Sequence, residues 1–339
     1  MYQNNEKSAK MTDSIILSAR HVKKYYPLKS KGKKAVVKAV DDVSLDIFKG
    51  ETFGVVGESG CGKSTLGNVL LRLEELTDGI VYYAGKNLIN LNKSGLKAFR
   101  KKAQIIYQDP YSALNPKKKI ESVLEEPLII HRMGNRQERR EKVLQLLDKV
   151  GLRPEHRDRY PHEFSGGQRQ RIITARALAT DPEFILADEP VSALDVSIQA
   201  QVINLLMDLK KDGDLTFLFI SHDLSVIEHI CDRLAVMYLG RIVETGSVDN
   251  FFRAPFHPYS RALIDAVPIA DPSAGLSNIL EGDVPSPINP PSGCCFHPRC
   301  VFRRDKCKKE APKLQELSPG REVACHYPLG FTQTVEKTG

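Results

Sequence analysis

The sequence predicts an α/β protein organised around a parallel sheet, and three stretches of the chain support that prediction. The glycine-rich stretch "GESGCGKST", which begins at Gly57, follows the apolar run "TFGVV" and precedes a helical pattern. Two further apolar runs, "FILAD" and "LTFLFIS", flank the amphipathic segment "VSIQAQVINLLMDL". Strand, helix and strand in this order favour parallel strands joined by crossover helices.

The region before and just after the glycine-rich stretch is predicted to consist mainly of strands. From residue 15 to about residue 83, short apolar runs alternate with turns, a pattern typical of strands. The segment "GNVLLRLEEL" is an exception, because its helical spacing places Val69, Leu70 and Leu73 on one side. From about residue 88 to about residue 180 the pattern becomes mainly helical and highly charged.

The last third of the chain changes character twice. The segment "RLAVMYLGRIVETG" predicts a hairpin that turns at Gly240. After about Phe252 the composition shifts, and the proline-rich segment "EGDVPSPINPPSG" predicts an extended connector. A cysteine-rich segment follows, and the last dozen residues are predicted to form a loose tail.

Composition sets broad limits on size, partners and location. The 339 residues, 41% hydrophobic and 27% charged, suffice for two modest domains or for one large domain with an extension. The net charge of +7 is mild, and the clusters "RKKAQ" and "KKK" are expected to be solvated, although they could contact nucleic acid or anionic lipid. The polar first residues lack a signal-peptide core, and no run approaches the roughly 18 apolar residues of a membrane span. We therefore expect a cytoplasmic protein that reaches a membrane only through partners.

The glycine-rich stretch predicts a phosphate-binding loop. Residues 57–64 fit G-x-x-x-x-G-K-[ST] in the strand–loop–helix context that this motif requires. Glycines let successive N–H groups point into one concavity that holds phosphate oxygens, while Lys63 reaches the terminal phosphates and Ser64 offers its hydroxyl to Mg²⁺. Cys61 is expected to be a spacer without chemistry of its own. The predicted nucleotide contacts in this loop are Gly57, Ser59, Gly60, Cys61, Gly62, Lys63, Ser64 and Thr65.

Two carboxylates supply a second anchor for the nucleotide. Asp188 and Glu189 emerge at the C-terminal end of the predicted strand "FILAD". In enzymes with a phosphate-binding loop such an Asp holds Mg²⁺, and the next carboxylate is placed to orient or deprotonate the attacking water. The loop and these carboxylates together predict a nucleotide hydrolase or a kinase.

The stretch "FSGGQRQR" narrows the class of enzyme. Residues Ser165 to Gln168 start a predicted helix, whose free N–H groups and positive dipole end suit a phosphate. The stretch resembles the signature motif of ABC (ATP-binding cassette) ATPases, with Phe164 in place of the more common Leu. A metabolite kinase would not carry it. The signature residues are Ser165, Gly166, Gly167 and Gln168.

The other motifs of that family occur in the expected order. Gln108 in "IIYQDP" resembles the Q-loop residue, "SALD" ending at Asp195 resembles the D-loop, and His222 in "ISHD" resembles the switch histidine. Tyr26 in "KKYYP" lies where the family stacks an aromatic ring on adenine, and the neighbouring Tyr25 is the alternative.

The resemblance covers residues 15 to about 252 and implies an architecture. It implies a P-loop NTPase (RecA-like) nucleotide-binding domain over residues 1–255, with a helical subdomain at about 91–180 and an antiparallel β subdomain. It also implies that two such subunits pack head to tail, so that the signature of one serves the ATP of the other. A small Cys-rich extension, residues 256–339, would follow.

The same resemblance implies roles at the ATP site. Ser64, Gln108 and Asp188 would hold Mg²⁺. Glu189 and His222 would be catalytic, with Glu189 positioning water and His222 contacting the γ-phosphate. Because both are present, nothing marks the chain as a degenerate partner.

The tail resembles that of one branch of the family. The stretches "FRAPFHPYSRALIDAVP", "PSPINPPSGCCFHPRC" and "VACHYP" resemble the C-terminal extension of dipeptide and oligopeptide importer ATPases, a branch that includes nickel transporters. The phosphate-loop region is most similar to the F-type subunit. The implied partners are a D-type ATPase, two permease subunits and an extracytoplasmic solute-binding protein, with the chain peripheral on the cytoplasmic face of the membrane. Dipeptide, oligopeptide and nickel all remain open as solutes, as does pairing with a second copy.

Cysteines crowd the tail in the pattern C-x5-C-x6-C-x17-C. This spacing leaves zinc and an iron–sulfur cluster open, with metal-free thiols as a third alternative, while the family resemblance implies a [4Fe–4S] cluster. Cys295 could replace its neighbour as a ligand, and His297 and His326 are weaker candidates. The four expected ligands are Cys294, Cys300, Cys307 and Cys325.

Two functional classes compete. The first is a transport ATPase that powers import of peptides or a related solute. The second is an ABC ATPase that acts on nucleic acid or ribosomes, which the basic clusters could suggest. That class carries a long coiled-coil insertion or two cassettes in one chain. Since the sequence has neither, it favours transport without nucleic acid.

Overall fold

The computed structural model describes residues 14–30, 33–212, 214–267 and 282–330. The strands are β1 (Ile15–Ser30), β2 (Lys33–Phe48), β3 (Thr52–Val56), β4 (Asp78–Tyr83), β5 (Lys86–Asn87), β6 (Ala103–Ile106), β7 (Phe184–Asp188), β8 (Thr216–Ser221), β9 (Arg233–Tyr238), β10 (Arg241–Ser247), β11 (Gln315–Ser318) and β12 (Arg321–Val323). The helices are α1 (Lys63–Leu70), α2 (Lys93–Lys102), α3 (Pro110–Ala113), α4 (Ile120–Ile130), α5 (Arg136–Lys149), α6 (Gly166–Leu178), α7 (Val196–Asp212), α8 (Leu224–Ile230), α9 (Val248–Arg253), α10 (Pro258–Asp265) and α11 (Asp305–Lys309).

The described residues divide into two compact units that alternate along the chain. The first unit contains residues up to Ser18, together with Asp46–Thr52 and Val81–Ser221. The second contains Ala19–Leu45, Phe53–Ile80 and the described residues from 222 onward. The predicted division at residue 255 and the predicted helical subdomain remain predictions.

Parallel strands form the centre of the first unit, as the sequence predicts. Strand β7 pairs in parallel with β6 on one side and with β8 on the other, so that Leu186 lies opposite Ile105 and Leu218. All residues of β7 and β8 are buried. Continuous apolar strands of this kind are typical of a parallel sheet with both faces covered. The predicted helix between them is α7.

The predicted helical region is also confirmed, since α2 to α6 lie within it, together with β6. The start of α6 shows why two glycines follow Ser165. A Cβ atom on Gly167 would lie 2.4 Å from Cγ2 of Ile198 on α7, so any larger residue there would force the Ile198 side chain to move. The second glycine of the signature therefore has a packing role.

Strands of both orientations make up the sheet of the second unit. Strand β3 pairs in parallel with β9, β9 pairs antiparallel with β10, and β12 joins β10 and β11 antiparallel. The β9–β10 hairpin turns at Leu239 and Gly240, whose φ angles are +45° and +79°. The hairpin predicted at Gly240 is thus confirmed.

Strands β1, β2, β4 and β5 form a four-stranded sheet in the order β2-β1-β4-β5, in agreement with the strands predicted for this part of the chain. The helix predicted over "GNVLLRLEEL" is wrong in its second half. Helix α1 ends at Leu70, and Arg72 takes a left-handed conformation with φ +53°. Val69 and Leu70 are buried as expected, but Leu73 is 41% exposed because the chain has already left the helical path.

The C-terminal segment, defined here as the described residues 282–330, contributes to the core of the second unit. Strand β12 extends the sheet beyond β10, with Val323 opposite Glu244. The Arg321 guanidinium lies 3.4 Å from the Glu244 carboxylate, which also accepts the backbone N–H groups of Phe256 and His257. The sequence pattern of a proline-rich connector gave no indication of this pairing. The predicted loose tail lies mostly outside the described residues.

Within the described parts of the chain, no helix is long and apolar enough to cross a membrane.

Replacement of Arg321 tests the contribution of this ion pair to folding. Arg321 is 7% exposed and Glu244 1%, so Arg321→Met would leave a buried carboxylate without its cation. We expect the free energy of unfolding, measured by urea denaturation, to fall by about 3 kcal/mol. The matched control is Arg261→Gln, which breaks an exposed pair with Asp265 and should change stability by less than about 0.5 kcal/mol. Equal effects of the two variants would contradict this role.

Candidate nucleotide-binding site

The predicted phosphate-binding loop, residues 57–65, connects β3 to α1 in the second unit. Lys63 is 4% exposed, and its Nζ donates to the carbonyl oxygens of Gly57 at 2.7 Å and Glu58 at 3.1 Å. The loop therefore encloses an ammonium group. Ser64 is exposed at the start of α1, whose first-turn N–H groups lack intrahelical partners. This is the arrangement of donors that binds phosphate.

Two glycines of the loop are required by close approach of the backbone. At Gly57 the φ angle is +152° and a Cβ would lie 2.2 Å from the Met237 carbonyl oxygen. At Gly62 the φ angle is +104° and a Cβ would lie 2.0 Å from the Ala39 carbonyl oxygen. Any side chain at either position would force the loop away from its neighbours. Cys61 is buried between them, and its burial raises the pKa of the thiol, in agreement with an unreactive spacer.

The two candidate adenine-stacking tyrosines differ in their surroundings. The Tyr26 hydroxyl donates to the Glu74 carboxylate and also interacts with the Thr65 hydroxyl of the loop. Partial burial and the bond to Glu74 raise the pKa of Tyr26 to about 12. Tyr25 instead donates to Asp41, which is paired with Arg241 at 2.7 Å. The contact with Thr65 favours Tyr26 as the residue beside the nucleotide.

The carboxylates predicted to act on the nucleotide lie in the first unit. Asp188 is the last residue of β7 and is buried, and Glu189 follows it with φ +46°, a left-handed conformation that is unfavourable for a residue with a side chain. The Glu189 N–H donates to the Ile220 carbonyl oxygen at 2.9 Å. Nε2 of Gln108 donates to the Glu189 carboxylate at 2.9 Å and to Oγ of Ser192 at 3.3 Å. The structure therefore brings the Q-loop residue to the predicted catalytic carboxylate.

The signature and D-loop residues also lie in the first unit. Ser165 is exposed and caps α6, where its Oγ accepts the Gln168 N–H at 3.4 Å while the Gln168 side chain accepts the Ser165 N–H at 3.1 Å. Asp195 is exposed immediately before α7. The predicted capped helix start is confirmed, with Ser165 exposed at its end.

The switch histidine follows β8. His222 is exposed and belongs to the second unit, between Ser221 and Asp223, which caps α8 by accepting the Ser225 N–H at 2.9 Å. The predicted site residues are thus divided by unit. The loop, Tyr26 and His222 lie in the second, and the other ATP-site candidates lie in the first.

Glu58 and Arg299 are contacts that the sequence did not indicate. The Arg299 guanidinium donates to both carboxylate oxygens of Glu58, at 2.6 Å and 3.0 Å. Glu58 occupies an unspecified position of the loop motif and Arg299 lies 241 residues away. No local pattern of residues could have revealed the pair.

Four cysteines of the C-terminal segment line one cavity: Cys294, Cys300, Cys307 and Cys325. Cys295 lines a different cavity, together with Asp41 and Arg241. Burial raises the pKa of Cys294 to about 11 and that of Cys325 to about 12, so a thiolate at either position would need a cation beside it. In the described part of the chain, no group of three or more His, Cys, Asp or Glu side chains is arranged to hold a metal ion.

The two histidines of this region are engaged with backbone carbonyls. A ring nitrogen of His297 lies 3.0 Å from the Cys294 carbonyl oxygen, and Nε2 of His326 lies 2.9 Å from that of Glu310. Both histidines also line the cavity of the four cysteines, so their standing as weaker candidate ligands remains a prediction.

Comparison with known sequences gives two family matches and many similar proteins. The profile described as "ABC transporter" matches residues 40–192, and the profile described as "Oligopeptide/dipeptide transporter, C-terminal region" matches residues 243–307. The dipeptide transport ATP-binding protein DppF of Haemophilus influenzae is 54% identical over 317 residues, which cover 92% of this chain and 96% of that protein. The oligopeptide transport ATP-binding protein AppF of Bacillus subtilis is 51% identical, with 92% and 97% covered.

Solved structures give the same result for the fold. The dimeric, post-hydrolysis structure of the ATP-binding cassette MJ0796 bound to ADP and Pi has a TM-score of 0.62 and 30% identity. The match covers 68% of this chain and 98% of that one. The expected nucleotide-binding domain fold is thereby confirmed.

Substitution of the two tyrosines tests which one contacts the base. Stacking of a base on an aromatic ring contributes about 1–3 kcal/mol, so Tyr26→Ala should raise the Kd for a fluorescent ATP analogue about tenfold. Tyr26→Phe keeps the ring and should bind nearly as the parent does. The control Tyr25→Phe loses its bond to Asp41 and should leave the Kd unchanged. Weaker binding by Tyr25→Ala, with normal binding by Tyr26→Ala, would assign the role to Tyr25.

Proposed function

This chain belongs to the family of ABC transporter ATP-binding proteins with the oligopeptide/dipeptide transporter C-terminal region, and from that membership we propose that it powers peptide import across a membrane. It is an ATPase of the ABC type. The observation that carries the proposal is the extent of the similarity, which runs through the C-terminal region as well as the cassette. Among the solutes that the sequence leaves open, the named relatives favour peptides over nickel.

ATP binding is assigned to the loop of the second unit. The N–H groups of the loop that follow Glu58 and the Lys63 ammonium bind the phosphate oxygens, and Tyr26 stacks on the adenine. Ser64, Gln108 and Asp188 supply a hydroxyl, an amide oxygen and a carboxylate, the oxygen ligands that Mg²⁺ prefers. Gln108 donates to Glu189 through its Nε2, and its Oε1 is the atom proposed to bind the metal. Mg²⁺, when bound, neutralises charge on the phosphates.

Water activation is assigned to Glu189. The amide of Gln108 orients the Glu189 carboxylate by donating to it, and the left-handed backbone at Glu189 turns the side chain away from the strand direction. A carboxylate held in this way can accept a proton from the attacking water. His222 contacts the γ-phosphate.

The signature end of α6 is assigned to the ATP held by a second cassette. Ser165 is exposed, and the first N–H groups of α6 supply donors and a positive dipole end for a phosphate. Asp195 is also exposed and would face the same partner. The dimeric state named for the solved cassette MJ0796 supports an arrangement of this kind. The proposed partner is a homologous D-type ATPase.

Two permease subunits and an extracytoplasmic solute-binding protein complete the proposed transporter, with this chain at the cytoplasmic face of the membrane. The permeases would dock on the helical segment between Gln108 and Ser165. Three large apolar or aromatic side chains of that segment are more than half exposed, namely Tyr111, Ile129 and Ile130. Exposed side chains of this type support a protein contact there.

The alternative, action on nucleic acid or ribosomes, gains no support. The named relatives are transport proteins. Lysines of the basic clusters are paired with carboxylates, Lys102 with Glu183 at 2.6 Å and Lys118 with Glu126 at 2.9 Å. Such pairing reduces the positive field that a nucleic-acid surface would need.

Uptake of a labelled dipeptide tests the proposed function. In cells lacking the gene, the intact chain should restore uptake, whereas Glu189→Gln should reduce ATP hydrolysis and uptake at least a hundredfold because the proton acceptor is lost. The variant should still bind ATP and co-purify with the permeases, which separates loss of catalysis from loss of assembly. Restored uptake by Glu189→Gln would remove Glu189 from the mechanism, and normal peptide uptake without the gene would exclude peptide import.

A [4Fe–4S] cluster is proposed for the C-terminal segment. The support is that Cys294, Cys300, Cys307 and Cys325 line one cavity while Cys295 lies apart. A [4Fe–4S] cluster would be held by four Cys thiolates, the number that this cavity presents. The cluster would hold the segment together, with no role assigned in ATP hydrolysis.

Metal analysis of anaerobically purified protein tests the cluster. We expect iron and sulfide in equal amounts, about four of each per chain, with a broad visible absorption. Cys307→Ser should lose most of the iron, because its sulfur lines the shared cavity. Cys295→Ser, a cysteine of the same segment outside that cavity, should keep it. Stoichiometric zinc, or iron lost from Cys295→Ser alone, would overturn the proposal.

A further inference from the structure

The ion pair between Arg299 and Glu58 connects the C-terminal segment to the phosphate-binding loop, and both residues lie in the second unit. Two N–H groups of the guanidinium donate to the two carboxylate oxygens, at 2.6 Å and 3.0 Å. The Arg299 side chain is 5% exposed, so water does not screen the pair from that side. Two-point pairing of an arginine with a carboxylate fixes orientation as well as distance.

The backbone of Glu58 is held from the same direction. Its N–H donates to the Tyr259 hydroxyl at 2.9 Å, and Tyr259 is fully buried. The Tyr259 ring packs against Phe296 of the C-terminal segment, with 5.3 Å between ring centroids. Both the side chain and the backbone of one loop residue are therefore held by residues beyond 255.

Glu58 in turn bears on the loop lysine. Its carbonyl oxygen accepts from Lys63 Nζ at 3.1 Å, next to the carbonyl of Gly57 at 2.7 Å. A rotation about the Glu58 backbone would move one of the two carbonyls that direct the ammonium, and would also disturb the neighbouring Cys61, whose N–H donates to the same Glu58 carbonyl oxygen at 3.3 Å. The geometry of Glu58 thus sets how the loop presents its donors to a phosphate.

From these contacts we propose that Arg299 is a positioning residue for the phosphate-binding loop: by fixing Glu58 it orients Lys63 and the loop N–H groups, so that affinity for ATP depends on the C-terminal segment. The proposal rests on the assignment of Lys63 to phosphate binding. Arg299 itself touches no nucleotide in this role. It acts on the ground-state geometry of the loop, so its removal should raise the KM for ATP more than it lowers kcat.

Arg299 is placed by its neighbours in the chain. It ends the short 3-10 turn His297–Arg299, which starts directly after Phe296 and ends directly before Cys300. The Arg299 N–H donates to the Phe296 carbonyl oxygen, and the His297 N–H donates to that of Cys294. The turn that presents the guanidinium therefore lies between two of the cavity-lining cysteines, and its geometry depends on how that part of the segment is held.

A set of variants of the full chain tests the proposal, with a fluorescent ATP analogue as the probe. Arg299→Gln should raise the Kd about tenfold, which is a change of ~1.4 kcal/mol in binding free energy, because the loop loses the contact that fixes Glu58. Arg299→Lys keeps the charge but not the two-point geometry, and should show a smaller increase. Glu58→Gln should weaken binding similarly, and the double variant should be no weaker than either single variant, because the residues act through one contact. In all of them kcat at saturating ATP should change less than the KM.

Two controls separate the possible outcomes. Arg261→Gln breaks an arginine–carboxylate pair on α10 that does not involve the loop, and should leave the Kd unchanged. Lys63→Ala should abolish binding. If Lys63→Ala binds normally, the assignment of the lysine is wrong. If only Lys63→Ala is affected, with Arg299→Gln and Glu58→Gln both normal, the role of Arg299 is overturned. If Arg299→Gln does not fold, the test uses Arg299→Lys, Glu58→Gln and their double variant. Losses of ATP affinity that add up in this double variant would also overturn the proposal.

Discussion

An ammonium group held inside a loop of peptide groups is the constraint on which much of the second unit depends. Burial of a charge is unfavourable unless hydrogen bonds compensate for lost hydration, and the carbonyl oxygens of Gly57 and Glu58 supply these bonds to Lys63. The loop must therefore keep both carbonyls directed inward. That requirement accounts for the positive φ angle at Gly57, where the backbone approaches Met237, and for the two contacts that hold Glu58.

The first unit also has a backbone angle in the left-handed region, but there it falls on a residue with a side chain, Glu189. In the loop, unusual backbone angles fall on glycines, which adopt them at little cost. At Glu189 the proposed activation of water requires a carboxylate, so glycine would not serve, and the left-handed conformation costs of order 1 kcal/mol or more. Pairing with β8 stabilises it, because Asp188 is in register with Ile220 and the Glu189 N–H donates to the carbonyl oxygen of the same Ile220. The unfavourable angle is retained where a side chain must leave the strand direction.

Sequence patterns predicted those features that depend on neighbours along the chain. The loop, the parallel strands, the capped start of α6 and the hairpin at Gly240 each follow from spacing and residue type within a few positions. The end of α1 could not be predicted in this way, because the apolar pattern continues past the left-handed turn at Arg72. Pairs such as Glu58 with Arg299 are also invisible, since only folding brings residues so far apart in sequence together. The separation of Cys295 from the other four cysteines of its segment is a further case. Which cavity each of two adjacent cysteines faces depends on the local backbone conformation, and the spacing of the cysteines does not specify that conformation.

The C-terminal segment and the loop are linked in both directions. Arg321 and Arg299 each direct a buried guanidinium to a carboxylate of the preceding chain, Glu244 on β10 and Glu58 in the loop. A segment that is fixed through such pairs cannot change its conformation without altering the groups that it holds. Coupling between two equilibria is reciprocal. If the segment strengthens ATP binding through Arg299, ATP binding must therefore stabilise the folded segment by the same free energy. A nucleotide-loaded cassette would therefore hold its C-terminal segment more firmly than a nucleotide-free one, whatever that segment contains.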